Sequence, residues 1–517
     1  MSTSEGNNND GNANVSGNQR IPSGSKSSEK GTMLSPMPSS FLIDAHDTLY
    51  HPIDVLSLPK ITQGLLPSSQ PSQCILSGDP YSPEFLCTGP RINPIFHAEY
   101  PSNRKPTKRP RGSIKNNNSS FIHRGFVYDK LDESSKCSKC LLLVFYDKTI
   151  MLLDYGDRHK KIEPISKIVL TKAWPMCFEL NKATASSQQL DVIIGTSTGD
   201  LLWLELVSQK YERINKHGNV TRSPVTAIAW VPNSESLVVA AHADGLIIVY
   251  DIQCEDRTGP IDNAKWDLHE DHDKSFHVIL SLADSDSSDK KRSVKAIYRL
   301  TNKGVHISCL KFSSNSKLIV SSQDDYLKIF DLETESTTDL VPSLFAGIRV
   351  HALTPDKKYL ALGGEDGIIS LIDTQNFNLI VRLVGHQAWV KAMAFDEYND
   401  YQQGYRLTSV GEDYRLLVWD FTPNTLYYPK WQPAVAIAPD ELYGTEAHTC
   451  GSSNTLVHAR YPSYKTPVAF PLAHIRPVIP EFGEHGLSDV RVTHQQLLAV
   501  TEDAKIWTWE KEFIRRD

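Results

Sequence analysis

Four sets of residues in this chain have types and spacings that could carry chemistry. Gly195-Thr-Ser197-Thr-Gly199 matches Gly-X-Ser-X-Gly. In a hydrolase that motif holds a strained, nucleophilic serine between a strand and a helix. A strand-like run ends at Gly195, but the residues after Gly199, DLLWLEL, are strand-like too, so Ser197 reads as part of a hairpin turn. Cys137-Ser-Lys-Cys140 is a lone Cys-X-X-Cys. A structural zinc ion needs four ligands, and neither a second such pair nor a His pair of finger spacing follows, so these read as incidental thiols. His269, His272 and His277 lie in the acidic stretch HEDHDKSFH, which reads as a solvated loop rather than a metal site. No phosphate-cradling Gly-X-X-X-X-Gly-Lys or Gly-X-Gly-X-X-Gly occurs. The fourth set, His386, Ser409 and Asp413, has the residue types of a hydrolytic triad. Its meaning depends on the elements that carry it.

Those elements repeat. From about residue 121 the chain becomes short apolar runs ending at turn residues. Five segments share one form: LVVAAHADGLIIVYD (237–251), LIVSSQDDYLKIFD (318–331), LALGGEDGIISLID (360–373), LTSVGEDYRLLVWD (407–420) and LLAVTEDAKIWTW (497–509), with VIIGTSTGDLLWLE (192–205) a weaker relative. In the five, a turn aspartate stands six residues before a large terminal residue: Asp244/Tyr250, Asp324/Phe330, Asp366/Ile372, Asp413/Trp419 and Asp503/Trp509. Terminal positions near 153, 204, 250, 330, 372, 419 and 509 recur at about the 40 to 45 residues of a four-stranded propeller blade, or at about twice that. The double steps are filled by insertions, about 253–303, which is charged, and 422–485, rich in Pro and Ala. The expectation is an all-β, seven-bladed propeller over 121–517, preceded by a disordered tail (1–40) and a loop-rich arm (41–120).

One repeat, Gly385-His386 … Trp419-Asp420, carries the Gly-His and Trp-Asp pairs of the WD repeat. His386, Ser409, Asp413 and Trp419 then read as a structural tetrad, a hydrogen-bonded line that satisfies buried polar groups rather than a catalytic set. Asp244, Asp324, Asp366 and Asp503 are the turn aspartates of the other repeats. No catalytic residue, cofactor or metal is expected. A propeller without such motifs offers a rigid disc suited to binding proteins.

Net charge is −7, which gives no general reason to bind nucleic acid, and no run reaches the roughly 18–20 apolar residues of a membrane helix. The polar N-terminus is not a signal peptide, and eight scattered cysteines suit free thiols, so the expected location is the cytoplasm. Arg104-Lys-Pro-Thr-Lys-Arg-Pro-Arg111 reads either as a nuclear-import signal or as a solvated basic linker, and the first reading adds the nucleus.

Longer stretches carry a more specific likeness. Ser208-Gln-Lys-Tyr211, Arg213-Ile-Asn215, Ser223-Pro-Val-Thr226 and Ala241-His242 with Asp244-Gly245 sit within 190–251; Asn118-Ser-Ser-Phe121, Ile168-Val-Leu-Thr-Lys172, Gly385-HQAWV and Ser409-Val-Gly-Glu-Asp413 join them. Over roughly 116–420 and 470–510 the chain resembles the CreC-like WD-repeat family, the fungal carbon-catabolite-repression protein and its animal WD-repeat counterparts. The resemblance implies a non-catalytic regulatory subunit that binds and activates a ubiquitin-specific protease, beside a second WD-repeat protein. The 1–40 tail and 430–470 depart from the family. The alternative is a WD-repeat adaptor for another complex, such as a ubiquitin ligase or a trafficking scaffold. A docking patch wants aromatic and arginine anchors with acidic neighbours, and the candidates are Asp325, Tyr326, Phe345, Arg349, Glu365, Trp389, Tyr414 and Arg415.

Overall fold

Leu141–Tyr146 and Thr149–Asp154 are buried at every position but the last, on both faces of the strand, and Asp191–Thr196 is buried throughout. A sheet made of such runs must be covered on both sides. The computed structural model describes residues 54–57, 90–95, 108–114, 121–127, 140–155, 164–256, 276–282, 292–300, 305–323, 326–342, 347–397, 404–421, 447–450, 455–458, 468–469, 473–475 and 486–510.

Among these residues the strands form seven sheets, the blades of a propeller. From the axis outward, blade 1 runs Arg91–Ile95, Leu141–Tyr146, Thr149–Asp154, Pro164–Leu170 and Ile122–Val127. Blade 2 runs Pro175–Leu180, Asp191–Thr196, Leu201–Glu205, Lys210–Ile214 and Gly112–Ser113. Blade 3 runs Val225–Trp230, Leu237–His242, Leu246–Asp251, Val294–Leu300 and Phe276–Leu280. Blade 4 runs Ile307–Phe312, Lys317–Ser322, Tyr326–Asp331 and Ser336–Pro342, then Thr455–His458 and Ala447–Cys450. Blade 5 runs Ile348–Leu353, Tyr359–Gly364, Ile368–Asp373, Leu379–Val384 and Val468–Ala469. Blade 6 is Val390–Phe395, Tyr405–Gly411, Leu416–Phe421 and Ala473–Ile475. Blade 7 is Leu487–Val492, Gln496–Thr501, Lys505–Glu510 and Asp54–Ser57.

The core is divided into seven apolar clusters, each lying between two neighbouring blades. The last closes the ring: Leu498, Val500 and Ile506 of blade 7 pack on Ile92, Leu142 and Met151 of blade 1. Because successive strands are antiparallel, each second-to-third-strand turn and each link into the next blade emerge at one end of the disc. We call that end the upper face.

The propeller draws more of the chain than its repeats mark. Asp54–Ser57, Arg91–Ile95 and Gly112–Ser113, expected in the loop-rich arm, are strands of blades 7, 1 and 2. Arg91–Ile95 contains Pro94, which ordinarily argues against a strand. Here Ile92 turns its N–H away from the sheet to the Asp489 carboxylate (3.1 Å), so Pro94, two residues on, lacks an N–H where the sheet has no partner strand. Both expected insertions also contain strands. Val294–Leu300 is the fourth strand of blade 3, and Ala473–Ile475 the fourth of blade 6. Between them, Thr455–His458 and Val468–Ala469 run parallel to the outer strands of blades 4 and 5. The basic run is described from Lys108: Lys108 Nζ donates to the Gln253 carbonyl and Arg109 Nη2 to the Gln188 carbonyl, the latter at 2.7 Å. The 1–40 tail, Cys137, His269 and His272 lie outside the described residues, and among the described residues no group of His, Cys, Asp and Glu could hold a metal ion.

One buried group works against the fold. Lys167, in the fourth strand of blade 1, is fully buried, its Nζ has no hydrogen-bond partner, and burial pushes its amine below the ordinary lysine range. Replacing an unpaired buried charge by an apolar chain of similar length removes that penalty. Lys167→Met is expected to raise stability by about 1 kcal/mol, read as a higher denaturation midpoint; a lower midpoint would show that the amine is satisfied in solution.

Candidate docking face

Blade 6 shows how a turn is locked. The Trp419 indole N–H donates to Ser409 Oγ at 2.8 Å, and Ser409 Oγ lies 2.8 Å from His386 Nε2. Indole can only donate, so the serine oxygen accepts from it and the serine O–H donates to Nε2, which leaves Nδ1–H to donate to the Asp413 carboxylate at 3.0 Å. Asp413 also accepts from the Gln387 N–H (2.9 Å) and the Arg415 N–H (3.2 Å). Burial pushes the Asp413 carboxyl up, but these bonds outweigh it and hold it below the ordinary range. Gly411 makes the room: a Cβ there would stand 2.7 Å from His386 Nδ1.

Blade 3 solves the same problem with other residues. Its β-register puts His242 where blade 6 has Gly411, Ala240 where it has Ser409, and Tyr250 where it has Trp419. The imidazole thus comes from the second strand, its Nδ1 3.0 Å from the Ser223 carbonyl, while Thr221 donates to Asp244 at 2.9 Å. Without the serine, Tyr250 Oη and His242 Nε2 are buried with no partner. Asp366 accepts the N–H two residues on, from Ile368, at 3.0 Å, and Asp503 accepts from Thr501 Oγ1. Asp324 lies outside the described residues. Ser197 is buried in the corresponding turn of blade 2, accepts the Trp174 N–H at 3.0 Å, and is followed by a strand. The strand-to-helix elbow of a hydrolase is not formed.

These turns present the upper face. Arg349, second residue of the inner strand of blade 5, grips Glu365 of its own blade's turn (Nε–Oε1 2.8 Å, Nη2–Oε1 2.6 Å). Its guanidinium lies 4.4 Å from the centre of the Trp389 ring, at the entry to blade 6, and Trp389 is 41% exposed. The predicted Arg349, Glu365 and Trp389 are thus one cluster. Tyr326 on blade 4 and Tyr414 on blade 6 are exposed on the same face. Arg415 is turned to its own turn, Nε 4.0 Å from Asp413, and is largely buried. Asp325 and Phe345 lie outside the described residues.

Three further groups stand on this face. Lys391 Nζ bridges Glu412 (2.9 Å) and Glu502 (2.5 Å), tying blade 6 to blade 7. Burial alone would lower its pKa, but the two carboxylates raise it. The signal was in the sequence: Glu365, Glu412 and Glu502 each directly precede a turn aspartate. His306, at the entry to blade 4, has both ring nitrogens buried without a partner. Burial and then Arg349 push it down to about 4. Trp174, at the entry to blade 2, occupies the repeat position of Trp389: each carbonyl accepts an N–H from the turn of its own blade, Ser197 at 2.9 Å and Glu412 at 2.8 Å.

A family model for the WD domain, G-beta repeat, matches residues 210–251, 295–331 and 377–420. This is a WD-repeat propeller. Each match starts at or near the outer strand of one blade and ends in the third strand of the next, so a sequence repeat spans two blades. The propeller is 31% identical over 322 residues to the "UBP9-binding protein bun62" of Schizosaccharomyces pombe, a match covering 61% of this chain and 58% of that protein. The chain therefore matches somewhat over half the length of this relative. A chain of a solved structure, "Crystal Structure of Mitotic Checkpoint Complex", aligns with TM-score 0.45 and 11% identity over 78% of this chain and 99% of that one, a likeness too weak to carry an argument.

Two stability tests follow from the polar lines. Ser409→Ala strands the Trp419 N–H and His386 Nε2, and should cost about 2 kcal/mol in denaturant unfolding, whereas Ala240→Ser supplies the missing hydroxyl of blade 3 and should stabilise. The opposite pair of signs would show that these lines do not hold the blades. The second concerns pH. His351, whose Nδ1 meets Ser321 Oγ, is pushed by burial, then by Lys311, down to about 3, and His306 sits at about 4. Unfolded, each returns to about 6.5. Between those values the unfolded chain binds the extra protons, so the contribution is full above about pH 6.5 and lost as pH falls. Unfolding free energy should drop from pH 7 to pH 5, less steeply in His306→Asn; identical slopes would refute the assignment of His306.

Proposed function

We propose that this propeller binds a ubiquitin-specific protease through the upper face over blades 4 to 6 and raises its activity. Similarity to a relative named for binding UBP9 carries the reading. The Arg349–Glu365–Trp389 cluster supplies a surface of the right kind. Trp389 is an exposed aromatic held in place by a guanidinium on its ring, so little side-chain entropy remains to be lost on binding. Exposed Tyr326 and Tyr414 flank it. Residues of this sort dominate interface energies.

Activation needs no group of the propeller near the reacting atoms. It requires that the propeller bind the protease's competent conformation more tightly than its idle one, and the gain in rate cannot exceed that difference in affinity. The rigid seven-bladed ring suits this, because a surface that does not itself reorganise spends its binding energy on selecting the partner's state.

The test is purification of the tagged full chain from native lysate, followed by a ubiquitin-release assay on the co-purified protease with and without added propeller. A ubiquitin-specific protease should be recovered and should run faster with the propeller. Trp389→Ala should lower both recovery and stimulation at least tenfold, the effect of losing a buried aromatic anchor. Recovery of ligase or transport components with no protease and no stimulation would sink the proposal in favour of an adaptor role.

A further inference from the structure

The upper face is electrically divided. Over blades 5 to 7 the cations are matched: Arg349 with Glu365, Lys391 with Glu412 and Glu502, Arg415 with Asp413, and Lys505 with Asp503. Over blades 1 to 3 they are not. Lys172, in the link from blade 1 to blade 2, and Lys216 and Arg222, in the link from blade 2 to blade 3, are exposed and enter none of the ion pairs among the described residues. The acids beside them are engaged by other partners: Asp200 and Asp244 within the fold, the exposed Asp147 at the surface, and Asp256 by the backbone N–H groups of Asn215 and Lys216 (both 2.9 Å). Asp200 holds Arg213 (2.9 Å) and Thr198 (2.6 Å), Asp244 holds Thr221 (2.9 Å), and Asp147 accepts the Trp174 indole N–H (3.2 Å).

At the centre of this basic half stands a second cation-on-aromatic pair. Lys148 Nζ lies 4.3 Å from the Trp174 ring centre, with Trp174 at the repeat position that Trp389 holds in blade 6. The chain as a whole carries −7, so an anionic partner is repelled elsewhere and finds here a local exception. Ordinary surface lysines are scattered, but these lie on adjacent upper links around one fixed indole.

We propose that the upper face over blades 1 to 3 is a second interaction surface, taking an acidic peptide segment of a partner protein, with Lys172, Lys216 and Arg222 pairing its carboxylates and Lys148 and Trp174 forming the floor. It lies apart from the Trp389 cluster and does not depend on the identity of the protease. Steering by such a patch acts mainly on the association rate and the orientation of the partner, and weakens with salt.

The experiment uses the full chain and a fluorescein-labelled decaglutamate peptide in an anisotropy titration, with no protease present. Saturable, salt-sensitive binding is expected. The triple variant Lys172→Ser, Lys216→Ser, Arg222→Ser should weaken it at least tenfold with an unchanged melting midpoint. Lys317→Ser, which removes an exposed cation from the lower face, should leave it unchanged. Trp174→Ala should weaken it several-fold. Equal binding by the triple variant, or no saturable binding by the wild-type chain, overturns the proposal. So does tighter binding of a single-stranded oligonucleotide or of phosphatidylserine vesicles that is lost in the same variant, since the basic half would then serve nucleic acid or membrane.

Discussion

Everything in this molecule depends on sheets that are apolar on both faces. A blade whose two sides are both lined by Leu, Ile and Val must have a neighbour on each side, and so must every neighbour. A row of such sheets has no acceptable end. Closing the row into a ring removes both ends at once, and the seventh cluster, where Leu498 and Ile506 meet Ile92 and Met151, is that closure. The offset between sequence repeat and blade makes the closure covalent in effect. Each repeat begins near one blade's outer strand and finishes in the next blade, so the last blade lacks an outer strand unless the chain's beginning supplies one. Asp54–Ser57 does so, pairing Leu56 with Ile506.

Apolar packing holds the blades side by side but does not by itself fix the turns at their ends. The polar lines do that, and they are not uniform. Blade 6 has the full Trp–Ser–His–Asp line; blade 3 replaces it with a histidine that enters from the second strand and leaves a tyrosine hydroxyl unmatched. That both blades keep the same backbone register shows which force dominates. The cluster between blades sets where a strand lies, and the hydrogen bonds decide how firmly its turn is held.

This ordering explains what could be read from the sequence. The third strand of each blade is internal, is local in sequence to the second, and ends in a large residue, and all seven expected terminal positions (153, 204, 250, 330, 372, 419 and 509) fall in the third strands of seven different sheets. The strands that escaped notice pair with partners far away in the chain. Arg91–Ile95 adds to Leu141–Tyr146, and Ala473–Ile475 to Leu416–Phe421 across more than fifty residues. Their pairing is written in no local period, and a proline or a three-residue length hides them further. The site divides the same way. Glu365 belongs to a recognisable turn and Trp389 follows the Gly385-His386 pair, so their types suggested a patch; that Arg349 of blade 5 reaches Trp389 of blade 6 is a property of neighbouring blades. Trp174 was invisible as a site residue because only the register makes it the counterpart of Trp389.

The upper face inherits its rigidity from this construction. Glu365, Glu412 and Glu502 each stand on the first residue after a second strand, so their carboxylates are placed by β-ladders rather than by flexible loops. Lys391 can therefore bridge two blades with one ammonium group. The same geometry has an opposite consequence over blades 1 to 3, where Arg213 and Thr221 hold the turn acids Asp200 and Asp244 within the fold and the Trp174 indole engages the exposed Asp147. The outward-facing Lys172, Lys216 and Arg222 are left there outside any ion pair among the described residues. A face built from one repeated turn thus becomes polar along its diameter. The cause lies in which acids each blade needs for its own locking, and the charge left over is what a partner meets first.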